Sequence, residues 1–201
     1  MDASDMGADL EKVLVTADQI SQRLAELAAQ VDEDYAGKDV LLVGVLKGAA
    51  LVMSDLVRAL HLPAQMDWMA VSSYGSGTKS SGVVRIVKDL DTDVTGRHVL
   101  IVEDIIDSGL TLSWLVANLS SRGAASVEIL TLLRKPDAAK VDVAVRYTGF
   151  DIPDEFVVGY GLDFAEHYRG LRFVGTLAPH VYETPHPTGA SSTTEASTTE
   201  S

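Results

Sequence analysis

Short apolar runs with strand character alternate along this chain with segments of helical periodicity. Val40–Leu46 and His98–Val102 are almost wholly apolar, and helical patterns follow at Gly48–Leu60 and Leu110–Ser121. Strands that are apolar along their whole length are typical of a parallel sheet buried on both faces. The alternation therefore predicts an α/β fold in which a mostly parallel, twisted sheet is flanked by helices.

A capping box marks the start of the first predicted helix. Thr16 and Gln19 have the spacing of that motif, and apolar residues at helical spacing follow until Gly37 ends the pattern. Further strands are predicted at Met66–Ser73, Val83–Val87, Ser126–Leu133 and Phe156–Gly159. The second of these is expected to pair antiparallel with the first, across the loop between them. Ligands of such sheets bind at the carboxyl ends of the strands.

Both ends of the chain are predicted to be disordered. Residues 1–11 hold four acidic residues and no Lys or Arg, and residues 183–201 are rich in Ser and Thr. Segments of this composition bury too little apolar surface to offset the entropy lost on ordering. One domain is therefore predicted over residues 12–182. The acidic start does not resemble a secretory signal, and no apolar run approaches the roughly 20 residues that cross a bilayer, so a cytoplasmic location without membrane contact is expected.

Charge and cysteine content exclude several kinds of site. The net charge is −13, and seven of the acidic residues lie in the two ends. The moderately acidic body lacks the basic stripe of a nucleic-acid-binding protein, although backbone amides and Mg²⁺ can still hold a phosphorylated substrate. The chain has no cysteine, and its five histidines lack metal-ligand spacing, so neither a disulfide framework nor a zinc site is expected.

The most informative segment follows the apolar run at His98–Val102. Glu103 and Asp104 come directly after it, and buried parallel strands seldom tolerate two adjacent carboxylates. At the end of a strand they can face a ligand cleft, where hydroxyl groups or hydrated Mg²⁺ would satisfy them. Asp107-Ser108-Gly109-Leu110-Thr111 then opens a helix, whose free N–H groups would hold a phosphate. The alternative is an acidic strand end followed by an ordinary Ser N-cap.

Glu103–Thr111 resembles the 5-phosphoribosyl-1-diphosphate (PRPP) motif of the type I phosphoribosyltransferases. Three further segments resemble the hypoxanthine-guanine branch of that family: Leu46-Lys47-Gly48, Ser73-Tyr74, and Phe156–Asp163 with Arg169 beyond it. The segments occur in the family's order and spacing, and the resemblance covers roughly Val13–Tyr182. It implies the type I fold with a small hood subdomain built from both chain ends.

The resemblance also implies a role for each site residue. Contacts to PRPP and ribose phosphate would come from Glu103, Asp104, Ile106, Asp107, Ser108, Gly109, Leu110 and Thr111. Asp107 would act as general acid/base near N7 of the purine. Lys47, Gly48 and Arg169 would bind pyrophosphate, with a cis peptide before the lysine. The purine would contact Lys135, Phe156, Val157 and Asp163, and Mg²⁺ would be held by Glu103, Asp104 and Asp163. Taken singly, Lys135, Asp163 and Arg169 are more typical of surface positions, and Phe156 is more typical of the core.

The loop at residues 72–82 is interpreted as a flexible lid with Ser73 and Tyr74 at its base. It is not a Walker A motif, because Lys79 follows Thr78 rather than glycine. A lid of small polar residues could exclude water from a reactive intermediate. A disordered hairpin tip is compatible with the same residues.

The implied activity is purine salvage. The 5-phosphoribosyl group of PRPP would pass to hypoxanthine or guanine, forming IMP or GMP and releasing pyrophosphate, with Mg²⁺ as cofactor in a homodimer or homotetramer. Three alternatives stay open: an RNA-binding regulator with the same fold, an enzyme acting on adenine, xanthine or orotate, and a non-catalytic binding module. The acidic balance argues against the first. Lys135 suits a 6-oxo group better than the 6-amino group of adenine, because an ammonium group only donates hydrogen bonds.

Overall fold

A computed structural model describes residues 2–74 and 83–183 of the chain. Eight strands and four α-helices occur in these residues, together with short 3₁₀ helices at Ala3–Asp9 and Pro136–Ala138. The strands are β1 (Leu10–Val15), β2 (Val40–Leu46), β3 (Gln65–Tyr74), β4 (Val83–Lys88), β5 (His98–Ile106), β6 (Ser126–Arg134), β7 (Tyr147–Asp151) and β8 (Val174–Leu177). The α-helices are α1 (Ala17–Asp34), α2 (Ala50–Ala59), α3 (Leu110–Ser121) and α4 (Pro179–Glu183).

The main sheet has six strands in the order β4-β3-β2-β5-β6-β7. Every neighbouring pair is parallel except β3 and β4, which are antiparallel as predicted. Leu46 at the end of β2 pairs with Ala70, and Ile106 at the end of β5 pairs with Arg134 at the end of β6. The carboxyl ends of the central strands therefore meet along one edge of the sheet. The predicted α/β class with a mostly parallel, helix-flanked sheet is confirmed.

Two apolar layers cover the faces of this sheet. Successive residues of β2 point to opposite faces: Leu42 packs with buried residues of α1 and α2, whereas Leu41 and Val43 pack with those of α3. All three side chains are fully buried. Burial of one such side chain contributes about 1.5–3 kcal/mol to stability. The capping box of α1 is also present, with Thr16 Oγ1 accepting from the Gln19 N–H at 3.3 Å.

A small hood stands beside the main sheet and is built from both ends of the chain, as expected. Its two-stranded antiparallel sheet pairs β1 with β8, in a register that places Leu10 opposite Leu177. A third apolar cluster lies beneath it and contains Met6, Val158, Leu171, Phe173, Leu177 and Val181.

The prediction that residues 1–11 are disordered is wrong for the described part of that segment. Ala3–Asp9 forms a 3₁₀ helix, and Leu10 begins β1. The physical reason is one side chain: Met6 is 6% exposed and packs in the hood cluster, which an acidic composition does not reveal. Residues 75–82, the larger part of the expected lid, and the tail beyond residue 183 lie outside the described residues.

The predicted strand at Phe156–Gly159 is not formed. Two isolated antiparallel bridges occur there instead, joining Val158 to Gly175 and Gly159 to Leu162. The chain turns at Gly159 and Gly161, which have φ values of 99° and 104°. Such values are left-handed and favour glycine. The predictions missed β1, β7 and β8, and β5 runs four residues further than predicted, through the acidic pair to Ile106. No helix in the described part of the chain is long and apolar enough to cross a membrane.

Packing of Met6 makes a prediction about stability. We expect Met6→Ala to lower the free energy of unfolding by about 2 kcal/mol, because it removes a buried side chain from the hood cluster. The matched control is Met66→Ala, since Met66 is 45% exposed and surface substitutions usually change stability by less than about 0.5 kcal/mol. Urea unfolding of the two variants tests this. Equal, small effects would mean that the amino-terminal segment does not pack.

Candidate active site at the carboxyl edge of the sheet

A cleft lies at the carboxyl ends of β2 and β5. Its volume is about 270 Å³, and its walls include Gly48 after β2, the pair Glu103 and Asp104, and the turn 107–109 that leads into α3. The fold thus gathers the acidic pair and the predicted phosphate loop in one cavity. This position agrees with the rule that ligands of parallel sheets bind beyond the strand ends.

The acidic pair carries the strongest electrostatic signal of the cleft. Glu103 is 8% exposed. Its burial, and the neighbouring charge of Asp104, raise the pKa of Glu103 well above its usual range. Burial also raises the pKa of Asp104 to about 6, although the Ile105 N–H donates to its carboxylate. Two adjacent carboxylates that are held in this way gain from a partner that compensates their charge.

A divalent cation fits this pair. Oxygen ligands suit Mg²⁺, which usually binds through one or two carboxylates together with substrate phosphates rather than in a complete protein cage. Consistent with an incomplete cage, no group of three His, Cys, Asp or Glu side chains that could hold a metal occurs in residues 2–74 and 83–183. Asp163, the third expected ligand, instead forms an ion pair with Arg169 at 2.8 Å. Its role toward Mg²⁺ stays a prediction.

The turn before α3 has the geometry of an anion cradle. Gly109, rather than Ser108, is the N-cap residue, and its φ of 77° is left-handed. No side chain of the described residues caps this end of the helix, so the first N–H groups of α3 are available to a ligand. The Ser108 carbonyl accepts from the backbone N–H groups of Lys140 and Val141, at 3.0 and 3.3 Å. These bonds tie the turn to the segment after β6.

Lys47 and Arg169 lie beside the cleft. Lys47 is flanked by the wall residues Leu46 and Gly48, but neither cation is itself part of the wall. The peptide bond between Leu46 and Lys47 is cis, as expected from the family resemblance. Lys47 Nζ forms an ion pair with Glu166 at 3.0 Å. Arg169 donates to the Gly161 carbonyl at 2.8 Å. A Cβ atom on Gly161 would lie 2.0 Å from the Gly48 oxygen, so only glycine allows these two segments to touch.

Lys135 lies beside the cleft in a second cavity of about 420 Å³. Asp107, Ile106 and Gly109 line both cavities, so the general acid/base candidate is common to them. The Lys135 side chain is buried, and its ammonium group lies 3.5 Å from Asp154. The backbone N–H of Lys135 donates to the Ile106 carbonyl at 2.9 Å. The structure thus brings Lys135 close to the phosphosugar motif.

The walls of these two cavities do not include Phe156 or Val157. Phe156 is 51% exposed and makes edge contacts with Phe164 and Tyr182, each at 5.9 Å between ring centroids. Val157 is buried beside it. An exposed ring held by two others can offer its face to a planar ligand.

Sequence reasoning does not single out Glu166, Phe164 or Tyr182. Glu166 contacts both Lys47 and Arg169, but an exposed acid three residues before an arginine is typical of a solvated turn. Phe164 and Tyr182 are far apart in sequence, and only the tertiary fold joins their rings at 5.2 Å. Phe164 and Glu166 have one sequence signal, their position just after the Phe156–Asp163 segment, and Tyr182 lies well beyond it.

Titration of Asp104 makes a prediction about stability and pH. A carboxyl group with a raised pKa in the folded state destabilises the fold as pH rises through the window between the unfolded and folded values. For Asp104 this window runs from about 4 to above 6. We expect Asp104→Asn, in the presence of EDTA, to raise the free energy of unfolding on the order of 2 kcal/mol at pH 7.5 and to have little effect at pH 4.

The control for this measurement is Asp39→Asn, which neutralises an exposed carboxylate paired with Arg97. Denaturant unfolding at the two pH values compares the variants. A pH-independent difference for Asp104→Asn would contradict the raised pKa.

Comparison with known proteins agrees with this geometry. The model of the Phosphoribosyl transferase domain family matches residues 14–165. The chain is 59% identical over 181 residues to the hypoxanthine-guanine phosphoribosyltransferase of Mycobacterium tuberculosis, covering 87% of this chain and 90% of the relative. It is 52% identical over 178 residues to the Bacillus subtilis protein of the same name, covering 89% of this chain and 99% of that one.

A solved structure agrees as well. The crystal structure of a hypoxanthine phosphoribosyltransferase from Staphylococcus aureus superposes with a TM-score of 0.86 at 48% identity, and the match covers 90% of this chain and 98% of that one. Fold, motif positions and sequence similarity over most of both chains lead to one conclusion. The chain belongs to the hypoxanthine-guanine phosphoribosyltransferases of the phosphoribosyltransferase family.

Proposed function

We propose that this protein transfers the 5-phosphoribosyl group of PRPP to hypoxanthine or guanine, forming IMP or GMP and releasing pyrophosphate. One observation carries the proposal. A buried acidic pair and an uncapped helix N-terminus line the same cleft, in a chain 59% identical over 181 residues to a named enzyme of this activity. The acids suit ribose hydroxyls and a cation, and the helix N-terminus suits a phosphate.

The phosphosugar half of the substrate is assigned to the cleft. Ser108, Gly109 and Thr111, with the backbone amide of Leu110, would bind the 5′-phosphate at the start of α3. Glu103 and Asp104 would bind the ribose hydroxyls or the Mg²⁺ associated with them. The left-handed Gly109 supports this role, because a side chain there would also lie within 3.1 Å of the Val141 oxygen.

Pyrophosphate is assigned to Lys47, Gly48 and Arg169. As the bond from the anomeric carbon to pyrophosphate breaks, negative charge grows on the departing group, and fixed cations lower the energy of that state. Bound Mg²⁺ would add charge neutralisation at the same oxygens. The contact between Gly48 and Gly161 supports the assignment, since it holds the two cation-bearing segments together.

The purine is assigned to the side of the cleft on which the second cavity and Lys135 lie. Its ammonium group would donate to the 6-oxo oxygen, Phe156 would stack on the ring, and Val157 would contact the exocyclic position. N9 of the base would bond to the anomeric carbon, and Asp107 would accept the proton that leaves N7. The wall position of Asp107 in both cavities supports this proton transfer. The family resemblance further leads us to propose a homodimer or homotetramer in the cytoplasm.

The overall activity is tested by a turnover panel. Hypoxanthine, guanine, xanthine and adenine are each supplied with PRPP, with and without Mg²⁺, and pyrophosphate release is measured. We expect turnover of hypoxanthine and guanine that depends on both PRPP and Mg²⁺. No turnover of either base would reject the proposal, and turnover of adenine alone would reject the role of Lys135.

Removal of the proposed general base gives a prediction about kcat. We expect Asp107→Ala to lower kcat by about 10²–10⁴-fold, because the N7 proton loses its acceptor in the transition state. Binding of PRPP, measured by calorimetry, should change little. The control is Asp91→Ala, whose carboxylate is 87% exposed and pairs with Lys88. Wild-type turnover in Asp107→Ala would contradict the general-base role.

Replacement of Lys135 gives a prediction about the two substrates separately. Lys135→Met keeps the buried aliphatic stem but removes the ammonium donor to the 6-oxo group. A hydrogen bond to a charged group contributes about 1.5–3 kcal/mol, so we expect purine affinity to fall by roughly 10- to 100-fold. PRPP affinity should fall much less. Calorimetry with each ligand, set beside the exposed-site control Lys38→Met, distinguishes this outcome from a general loss of binding.

A further inference from the structure

Glu166 contacts both cations that we assign to pyrophosphate. Its Oε2 lies 3.0 Å from Lys47 Nζ, and its Oε1 lies 3.3 Å from Arg169 Nη2. Each carboxylate oxygen thus serves a different cation, as the oxygens of a bound diphosphate would. Lys47 and Glu166 are 119 residues apart in sequence, so the tertiary fold alone creates this bridge.

The backbone of this turn is held independently of the Glu166 carboxylate. The Glu166 N–H donates to Asp163 Oδ2 at 2.8 Å, and Glu166 itself adopts a left-handed conformation with φ of 64°. Because this bond fixes the main chain, the side chain can leave the two cations without unfolding the turn. It is also 64% exposed, and so is free to move into solvent.

Arg169 keeps its position without Glu166. Its guanidinium is held by the Asp163 carboxylate and the Gly161 carbonyl, both at 2.8 Å. Its buried Nε–H has no hydrogen-bond acceptor in the described part of the chain. The protein therefore fixes this guanidinium without saturating its donors.

The bridge is weak enough for an incoming anion to displace it. Exposed ion pairs contribute little to stability, because water screens them and because holding two long side chains costs entropy. A diphosphate carries more charge and more acceptor oxygens than one carboxylate, and charge-assisted bonds to phosphate are strong.

We propose that Glu166 is an internal stand-in for pyrophosphate: it occupies Lys47 and Arg169 when the site is empty and competes with pyrophosphate for them. This positioning role rests on the proposed function, which assigns those two cations to pyrophosphate. Competition by a tethered carboxylate weakens pyrophosphate binding and so favours release of this product. It also holds the Lys47 ammonium group beside Arg169 until the next PRPP binds.

The test compares pyrophosphate binding by wild-type protein and Glu166→Gln, a substitution of the same shape without the charge. Inorganic pyrophosphate with excess MgCl₂ is titrated into each protein by calorimetry. Since two exposed ion pairs compete in the wild type, we expect Glu166→Gln to bind pyrophosphate about three- to tenfold more tightly. The inhibition constant of pyrophosphate against turnover should fall by the same factor.

Two further variants make the result specific. Glu26→Gln is the matched control. Glu26 is an exposed glutamate that pairs with Arg23 on α1, and α1 contributes no residue to the 270 Å³ cleft. The pyrophosphate affinity of this control should equal that of the wild type. In the double variant Lys47→Met with Glu166→Gln, the gain over Lys47→Met alone should be smaller than the gain of the single variant. Affinity for GMP, which carries no diphosphate, should stay unchanged in Glu166→Gln.

The outcomes separate this inference from the proposed function. One outcome is that the wild type binds pyrophosphate and Glu166→Gln binds it with equal or lower affinity. Glu166 would then support the position of Arg169 or have no role, so the inference would be overturned while the proposed function stands. If GMP and pyrophosphate both bind more tightly, the effect is a general change of charge, and the inference is again overturned. If the wild type neither binds pyrophosphate nor turns over purine, the proposed function fails first.

Discussion

The close approach of three backbone segments at Gly48 is the contact on which the rest of the site depends. A Cβ atom on Gly48 would lie 1.7 Å from Asp104 Oδ2, and one on Gly161 would lie 2.0 Å from the Gly48 oxygen. The loop after β2 therefore lies between the acidic end of β5 and the turn that carries Asp163 and Arg169. A side chain at Gly161 would push the loop after β2 away from the turn, and one at Gly48 would displace the Asp104 carboxylate, so both would disturb the surfaces that we assign to ribose hydroxyls and pyrophosphate.

This arrangement explains how an acidic protein can bind a highly anionic substrate. Seven of the 13 net negative charges lie in the two ends of the chain, whereas the site separates its charges over short distances. Carboxylates lie at the end of β5, backbone N–H groups lie at the start of α3, and Lys47 and Arg169 lie beside the cleft. Local dipoles and paired cations decide the binding of an anion more than net charge does.

The sequence predicts the centre of the fold better than its edges. The bounds predicted for β2 and α3 are the same as those observed. β2 in particular is easy to recognise, because a strand that is buried on both faces of the sheet is apolar along its whole length. β7 was missed because it is a short edge strand with Gly149 in its middle. Glycine is needed at this position because a Cβ atom on residue 149 would lie 2.3 Å from the Leu132 oxygen. Such a requirement belongs to tertiary contact and has no local pattern. The same holds for Met6, whose partners are all more than a hundred residues away apart from its immediate neighbours.

The site divides in the same way. Its proposed phosphosugar half is continuous in sequence from Glu103 to Thr111, so spacing alone predicts one cleft, and all of these residues except Leu110 line one cavity. The purine and pyrophosphate halves are assembled from Lys47, Lys135, Phe156 and Arg169, which are ordinary residues in isolation. Only the family resemblance selects them, and their individual roles stay predictions. The family resemblance does not select Glu166 either. Glu166 is singled out only by its distances to Lys47 and Arg169 in the folded protein.

The raised pKa values of Glu103 and Asp104 connect stability with function. Burial makes this pair costly in the empty protein, and a fold under selection for stability alone would replace it with neutral residues. This cost is offset when hydroxyl groups or a cation compensate the two charges. The free energy regained in this way adds to the affinity for the ligand. The situation at Lys47 and Arg169 is the reverse. These two cations already have a partner within the protein, the carboxylate of Glu166. Under the proposed assignments, the carboxylates of the cleft receive their compensating partners from the substrate, whereas the two cations are paired with Glu166 until pyrophosphate replaces it. This asymmetry would favour binding of the whole substrate over retention of the product.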